Sequence, residues 1–205
     1  MVAAAAAYCA ARNGAQTALM APTEILAEQH FASLSALFVP LGVSVALLTG
    51  SMTGKQKKDV RERIAAGEVQ VVIGTHALLS ESTRFDNLGL VITDEQHRFG
   101  VGQRSRLSAK GEDPHLLVMS ATPIPRTLAL ILYGDLDVSI LDELPPGRTP
   151  VKTRCITGKR RRDLYRFLDS EIDKGRQVYL VCPAIEDVPD GGLNAVKTYY
   201  EDIAK

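Results

Sequence analysis

The chain has 205 residues, 45 % of them hydrophobic, with 24 basic side chains balancing 24 acidic ones at zero formal charge. That much apolar side chain can bury a core, which excludes chain-wide disorder, and the charge balance excludes a uniformly basic nucleic-acid binder while leaving room for a local basic face. No apolar run approaches the roughly 18 residues of a membrane span, and the absence of Trp with only 5 % aromatics argues against a lectin-like or aromatic-cage binder.

The first element is alanine-rich, Ala3 to Ala7. No basic segment precedes it and Arg12 follows it, so it reads as a helix rather than a secretion signal. Apolar runs of strand length then recur at 17–21, 43–48, 69–73, 88–92 and 116–119. Helical spacing fills 25–38, 56–66 and 125–132 between or after them. Near-continuous apolar strands alternating with helices predict an α/β fold, a parallel sheet covered by helices on both faces. Residues 143–150 hold three prolines and a glycine and read as a linker. Beyond it the pattern predicts a strand at 151–156, a helix at 160–174, a strand at 177–182 and a helix near 195–204. Two strands are too little sheet for a full core, so this second unit reads as truncated. The three cysteines, Cys9, Cys155 and Cys182, are odd in number and share no Cys-x-x-Cys pair. They read as reduced, buried thiols of a cytosolic protein, neither a disulfide framework nor a zinc site.

Chemistry-bearing residues follow the strands. The run 90–92 leads into Thr93-Asp94-Glu95-Gln96-His97. Ligands of open α/β sheets lie at the carboxyl ends of strands. An Asp there can hold Mg²⁺ through its water shell, and a neighbouring Glu can orient or deprotonate an attacking water. The plain alternative is a charged surface turn. Ser120-Ala121-Thr122 ends another strand; its hydroxyls could reach that carboxylate pair or merely cap a helix. Pro22-Thr23 and Gly74-Thr75-His76 end two more strands, and a helix N-terminus after Thr23 could face a phosphate. Gly50-Ser51-Met52-Thr53-Gly54-Lys55-Gln56 imitates a phosphate loop, but only three residues separate its glycines, and Gln56 stands where a Mg²⁺-binding hydroxyl is needed. No other stretch has that pattern. Lys55, Lys57, Lys58, Arg61 and Arg63 make a basic cluster, read either as a solvated helix face or as a phosphate-backbone contact. A second basic run, Lys159 to Arg162, has the same two readings. The four histidines, His30, His76, His97 and His115, have no metal-ligand spacing.

Together these strand-end motifs resemble the first motor domain of superfamily-two helicases, which have two RecA-like domains with ATP between them. Asp94-Glu95-Gln96-His97 matches the Walker B or DExH motif, and Ser120-Ala121-Thr122 the motif coupling hydrolysis to movement. Ala21-Pro22-Thr23, Thr49-Gly50-Ser51 and Gly74-Thr75-His76 match the DNA-contact motifs in the same order. Longer strings are similar to the RecG family of bacterial branch-migration helicases, notably Asp94-Glu95-Gln96-His97-Arg98-Phe99-Gly100-Val101 and Asp142-Glu143-Leu144-Pro145-Pro146-Gly147-Arg148-Thr149-Pro150. The transcription-repair coupling factor shares part of this, but it typically has Glu at the place of Gln96 and lacks the Leu144 to Arg148 linker.

The resemblance implies an ATP-dependent double-stranded DNA translocase that remodels stalled forks and branch-migrates Holliday junctions, with ATP and Mg²⁺ as cofactors. It implies branched DNA as partner, with single-stranded DNA-binding protein as another, a monomer, and a bacterial cytoplasmic location with no membrane. Asp94 would hold Mg²⁺ through water, Glu95 would activate water, and Gln96 and His97 would link nucleotide state to Ser120, Ala121 and Thr122. Pro22, Thr23, Thr49, Gly50, Ser51, Gly74, Thr75 and His76 would face DNA. Residues 1–143 would be the first RecA-like domain without its first strand and phosphate loop, 144–150 a linker, and 151–205 the beginning of the second. The chain would thus be an internal fragment, inactive alone. The rival readings are a coupling-factor motor and a non-catalytic RecA-like module that binds DNA or a partner.

Overall fold

The computed structural model describes residues 1–95, 101–121, 136–143, 147–157, 160–182, 196–197 and 200. The chain divides into two compact units, 1–139 and 140–205. In the first unit the order is α1 (Val2–Arg12), β1 (Gln16–Met20), α2 (Glu24–Phe38), β2 (Val45–Leu48), α3 (Gly54–Ala65), β3 (Val71–Gly74), β4 (Leu88–Thr93), α4 (Val101–Ser108) and β5 (His115–Val118). Short 3₁₀ turns at Val39–Leu41 and His76–Leu79 follow α2 and β3.

The five strands form one sheet in the order β2-β3-β1-β4-β5, and every pairing is parallel. Every residue of β1 and β3 is buried, as interior strands covered on both faces require. Strand alternation sends Ala18 and Met20 of β1 to one face and Leu19 to the other. On the first face they join Leu48, Ile64 of α3, Leu78, Val91 and Leu107 of α4. On the second, Leu19 joins Ile73, Ile92, Leu34 and Phe38 of α2, and Ala4, Ala7 and Ala11 of α1. Each fully buried Leu, Ile or Phe stabilises the fold by about 2 kcal/mol. Small side chains at 4, 7 and 11 form one helical stripe, so the alanine-rich segment packs as a core helix.

Local chemistry sets the helix starts. Thr23, extended, caps α2 by accepting the Leu26 N–H at 3.3 Å. Thr53 caps α3 in a reciprocal box: its hydroxyl accepts the Gln56 N–H at 3.3 Å, and Gln56 Oε1 accepts the Thr53 N–H at 2.9 Å. Such a cap contributes about 1 kcal/mol.

At the amino edge of the sheet, buried Gln16 uses its whole amide. Its Nε2 donates to the carbonyls of Ile64 (3.0 Å) and Val69 (2.7 Å), and its Oε1 accepts the N–H groups of Asp86 (2.8 Å) and Asn87 (3.1 Å).

Several expectations change. The helix α4 was not legible, since its apolar content is low. Strands at 151–156 and 177–182 do not form; no strand occurs among the described residues of the second unit. Val151 and Val181 are 84 % and 94 % exposed, and two short strands without a third or a packed helix are not stable in water. The helix α5 (Arg161–Asp173) does form, but none of its residues is buried. The thiols are not buried either: Cys9 and Cys155 are exposed and Cys182 is half-buried. Cys9 faces away from the alanine stripe of α1, and the other two lie in a unit with no buried core among the described residues. The expected helix at 125–132 lies outside the described residues, as does most of 195–204. Among the described residues no helix is long and apolar enough to cross a membrane.

Candidate nucleotide and nucleic-acid site

A parallel sheet places all its strand ends along one edge, and that edge gathers the candidate residues. The order β2-β3-β1 brings three loops together: Thr49-Gly50-Ser51 after β2, Gly74-Thr75-His76 after β3 and Pro22-Thr23 after β1. They frame a cavity of about 520 Å³ lined by Pro22, Thr23, Glu24, Gly50, Thr75 and His76, with Lys57 and Arg61 from α3. Thr49 and Thr75 are nearly inaccessible, at 1 % and 6 % exposed, so their loops offer main chain and neighbours more than hydroxyls. Gly74 is buried at the end of β3, while Gly50 and Ser51 are exposed.

The cavity is internally bracketed. Glu24, the first residue of α2, accepts the Ser51 N–H at 2.9 Å. Lys57 Nζ donates to the Gly50 carbonyl at 2.5 Å, and Arg61 Nε donates to Thr83 Oγ1 at 3.2 Å. A Cβ on Gly50 would fall 2.9 Å from Glu24 Oε1, so the absent side chain lets the carboxylate approach.

Hydrogen bonds from the Ser51 side chain, then from its backbone, hold the Glu24 carboxyl below its usual 4.5. A depressed carboxyl contributes to stability above its unfolded value and loses that contribution as pH falls through the folded one. The bracket therefore survives at pH 4.5. The Ser51 amide resonance is expected to titrate with a midpoint below 4.5; a midpoint at or above it would show that the bracket does not hold in solution.

The carboxylate pair sits two strands from β3, at the end of β4. Asp94 N–H donates to the Met20 carbonyl at 3.1 Å, extending the β1–β4 ladder by one residue. Asp94 Oδ1 accepts the Glu95 N–H at 2.9 Å. Oδ2 lies 2.7 Å from His30 Nε2 of α2, with side-chain exposures of 29 % for His30 and 21 % for Asp94. The His30 hydrogen bond is the largest cause holding the Asp94 carboxyl below its ordinary 3.8, against the opposing effect of burial. Asp94 is thus ionised at neutral pH, and an ionised carboxylate only accepts, so His30 Nε2–H is the donor. Glu95 has φ +50°, a left-handed conformation that non-glycine residues rarely hold. Before them, Thr93 is fully buried and its hydroxyl has no hydrogen-bond partner among the described residues. Ser120 and Ala121 follow β5 and are exposed, and the Met119 N–H donates to the Thr93 carbonyl at 2.9 Å, keeping β5 beside β4. Gln96, His97 and Thr122 lie outside the described residues.

The donor set was tested for the groups it would serve. Mg²⁺ takes one or two carboxylates and keeps several waters. Asp94, ionised and with a second lone pair on each oxygen, fits that use. Among the described residues no group of three His, Cys, Asp or Glu side chains could enclose a metal ion, so a fully protein-ligated site is not formed. A phosphate cradle of the Gly-x-x-x-x-Gly-Lys-Ser/Thr kind does not occur in the 205 residues.

Sequence reasoning passed over His30, noting only its lack of metal spacing. It falls on the apolar stripe of α2, three residues after buried Ala27 and four before buried Leu34. A polar side chain on a core stripe requires a partner, and that was the available signal.

The family model described as "DEAD/DEAH box helicase" matches residues 1–131. The ATP-dependent DNA helicase RecG of Bacillus subtilis (strain 168) is 53 % identical over 186 residues, 91 % of this chain and 27 % of its own length. That of Escherichia coli (strain K12) is 53 % identical over 208 residues, 99 % of this chain and 30 % of its own. A solved structure of RecG bound to a three-way DNA junction covers 79 % of this chain and 22 % of that one, with a TM-score of 0.67 and 48 % identity. The chain therefore spans between a quarter and a third of the length of these relatives. Its parallel five-stranded sheet between two helical layers is the RecA-like architecture that the resemblance implied, and ATP is the nucleotide of that family. With the family match over residues 1–131 and the carboxylate pair at the end of β4, the chain belongs to the DEAD/DEAH box helicase family, and its sequence is of the RecG type.

Proposed function

We propose that this chain supplies the first RecA-like domain and the start of the second in an ATP-dependent double-stranded DNA translocase that remodels stalled forks and branch-migrates Holliday junctions. Residues 1–143 would be the first domain, 144–150 the linker and 151–205 the beginning of the second. The observation carrying the reading is the single sheet edge that holds both the Asp94–Glu95 pair and the groove between β1, β2 and β3. The relative solved with a three-way DNA junction supports branched DNA as the substrate.

When bound, ATP with Mg²⁺ supplies the phosphoryl bond whose hydrolysis drives the cycle. Asp94 would hold the metal through water, and its two hydrogen bonds favour the ionised carboxylate and restrict its rotation. Glu95 would orient and deprotonate the attacking water. Gln96 and His97 would relay the nucleotide state to Ser120, Ala121 and Thr122. On the groove side Thr23, Gly50, Ser51, Gly74 and Thr75 present loops and a helix N-terminus to a phosphate backbone, with Pro22, Thr49 and His76 beside them. Lys57 and Arg61 add positive charge. Such contacts grip DNA without reading its sequence. Single-stranded DNA-binding protein as partner, a monomeric working unit and the bacterial cytoplasm rest on the resemblance alone.

The test is to place this chain in the matched segment of the Bacillus subtilis relative and assay it with forked DNA. ATP turnover is expected to rise with forked DNA. Lys57→Ala with Arg61→Ala is expected to reduce the slope of log K for DNA binding against log salt concentration by about one per charge removed. Turnover indifferent to forked and Holliday-junction DNA would sink the proposal.

A further inference from the structure

The helix α2 begins at the groove and passes the carboxylate pair. From Glu24 at its first residue to His30 the helix advances about 9 Å. There His30 Nε2–H donates to Asp94 Oδ2 at 2.7 Å. The second donor to the carboxylate, the Glu95 N–H, comes from the adjacent residue and moves with it. Among the described residues, His30 is therefore the side-chain contact that fixes the Asp94 carboxylate, whose backbone is already held to β1, relative to another element. It sits on the packed stripe of α2 between Ala27 and Leu34, so its backbone is held by the core. Donors on both oxygens restrict rotation of the carboxylate, yet leave each oxygen a lone pair for a metal-bound water. Partners that hydrogen-bond a metal-holding carboxylate typically govern 10–100-fold in metal affinity or activity.

We propose that His30 is a positioning residue for Asp94: its Nε2–H donor, mounted on the groove helix, sets the direction in which the carboxylate meets the metal's water shell. This rests on the function proposed above. His30 touches neither nucleotide nor DNA in this role and acts only through Asp94.

Two measurements test it. In the metal-free 205-residue chain, nitrogen-15 NMR of the imidazoles is expected to show His30 with its proton on Nε2, and Asp94→Asn is expected to shift that signal. A His30 signal unmoved by Asp94→Asn would overturn the contact. In the relative carrying this chain, His30→Leu is expected to raise the Mg²⁺ concentration for half-maximal turnover at least 10-fold, with the KM for ATP little changed. His30→Gln, which carries an N–H donor near the Nε2 position, is expected to restore most of the loss. The proposal is overturned if His30→Leu leaves the Mg²⁺ dependence unchanged, or if Leu and Gln are equally impaired, while Asp94→Asn abolishes turnover. If Asp94→Asn itself turns over normally, the functional reading fails instead.

Discussion

In the relative carrying this chain, Glu95→Gln is expected to lower ATP turnover by about 10²–10⁴-fold, the usual contribution of a positioned general base, with DNA affinity unchanged. Glutamine keeps the shape and removes the proton acceptor, so the loss isolates the chemistry. The backbone adds a second, opposite effect. Glu95 is held at φ +50° where the ladder ends, which costs a side-chain-bearing residue about 1–2 kcal/mol. Glycine relieves that cost but adds about 0.5–1 kcal/mol of chain entropy to the unfolded state. From the backbone alone, Glu95→Gly is therefore expected to be more stable than the parent by about 0–1.5 kcal/mol while losing turnover as Gln does. Turnover above a third of the parent in Glu95→Gln would remove the base from this position. A lower urea midpoint for Glu95→Gly would show that the conformation carries no strain.

Gly74→Ala is expected to destabilise the chain by about 3 kcal/mol, at the upper end of ordinary overpacking. An added Cβ would lie 2.2 Å from the Leu48 carbonyl oxygen and 3.0 Å from Leu78 Cγ. The first obstacle is main chain of the neighbouring strand, paired in register with Gly74, and cannot rotate aside. At about 2–4 °C per kcal/mol for a unit of this size, the melting temperature should fall by roughly 10 °C. Gly50→Ala is the control, because its Cβ would meet only the mobile end of Glu24. A melting temperature within a degree of the parent for Gly74→Ala would contradict the packing described here. The two glycines thus serve different ends, Gly74 the packing of β3 against β2 and Gly50 the approach of a carboxylate.

Much of the first unit was legible because its strands are nearly continuous apolar runs, and each is followed by a short polar signature. The Asp94–Glu95 pair could be placed at a strand end from residues 88–95 alone. The adjacency of the loops after residues 20, 48 and 74 was not legible, because β3 inserts between β2 and β1, and chain order does not reveal spatial order. His30 escaped for a related reason. Its partner is 64 positions away, and spacing rules detect only neighbours on one helix or strand. Glu24 is an acid in the first turn of α2, and its bond to Ser51 crosses from α2 to the loop after β2. Residues 151–156 and 177–182 show the converse. Their composition has strand preference, but that preference reflects packing on a pleated surface, and without a sheet to join they stay unpaired.

The four bonds of Gln16 have a consequence for how the molecule moves. They stitch α3, the start of β3 and the approach to β4 onto the foot of β1. Breaking that knot would leave the carbonyls of buried Ile64 and Val69 without their partner, so the foot of the sheet opens less readily than the rim. The rim that carries Thr23, Gly50 and Asp94 has no equivalent knot among the described residues and is held by partly exposed bonds spread over several residues. Amide hydrogen exchange should therefore be graded along every strand, slowest at the foot and fastest at the rim. Loops on such a rim can change partners within a working cycle while the floor beneath them stays closed.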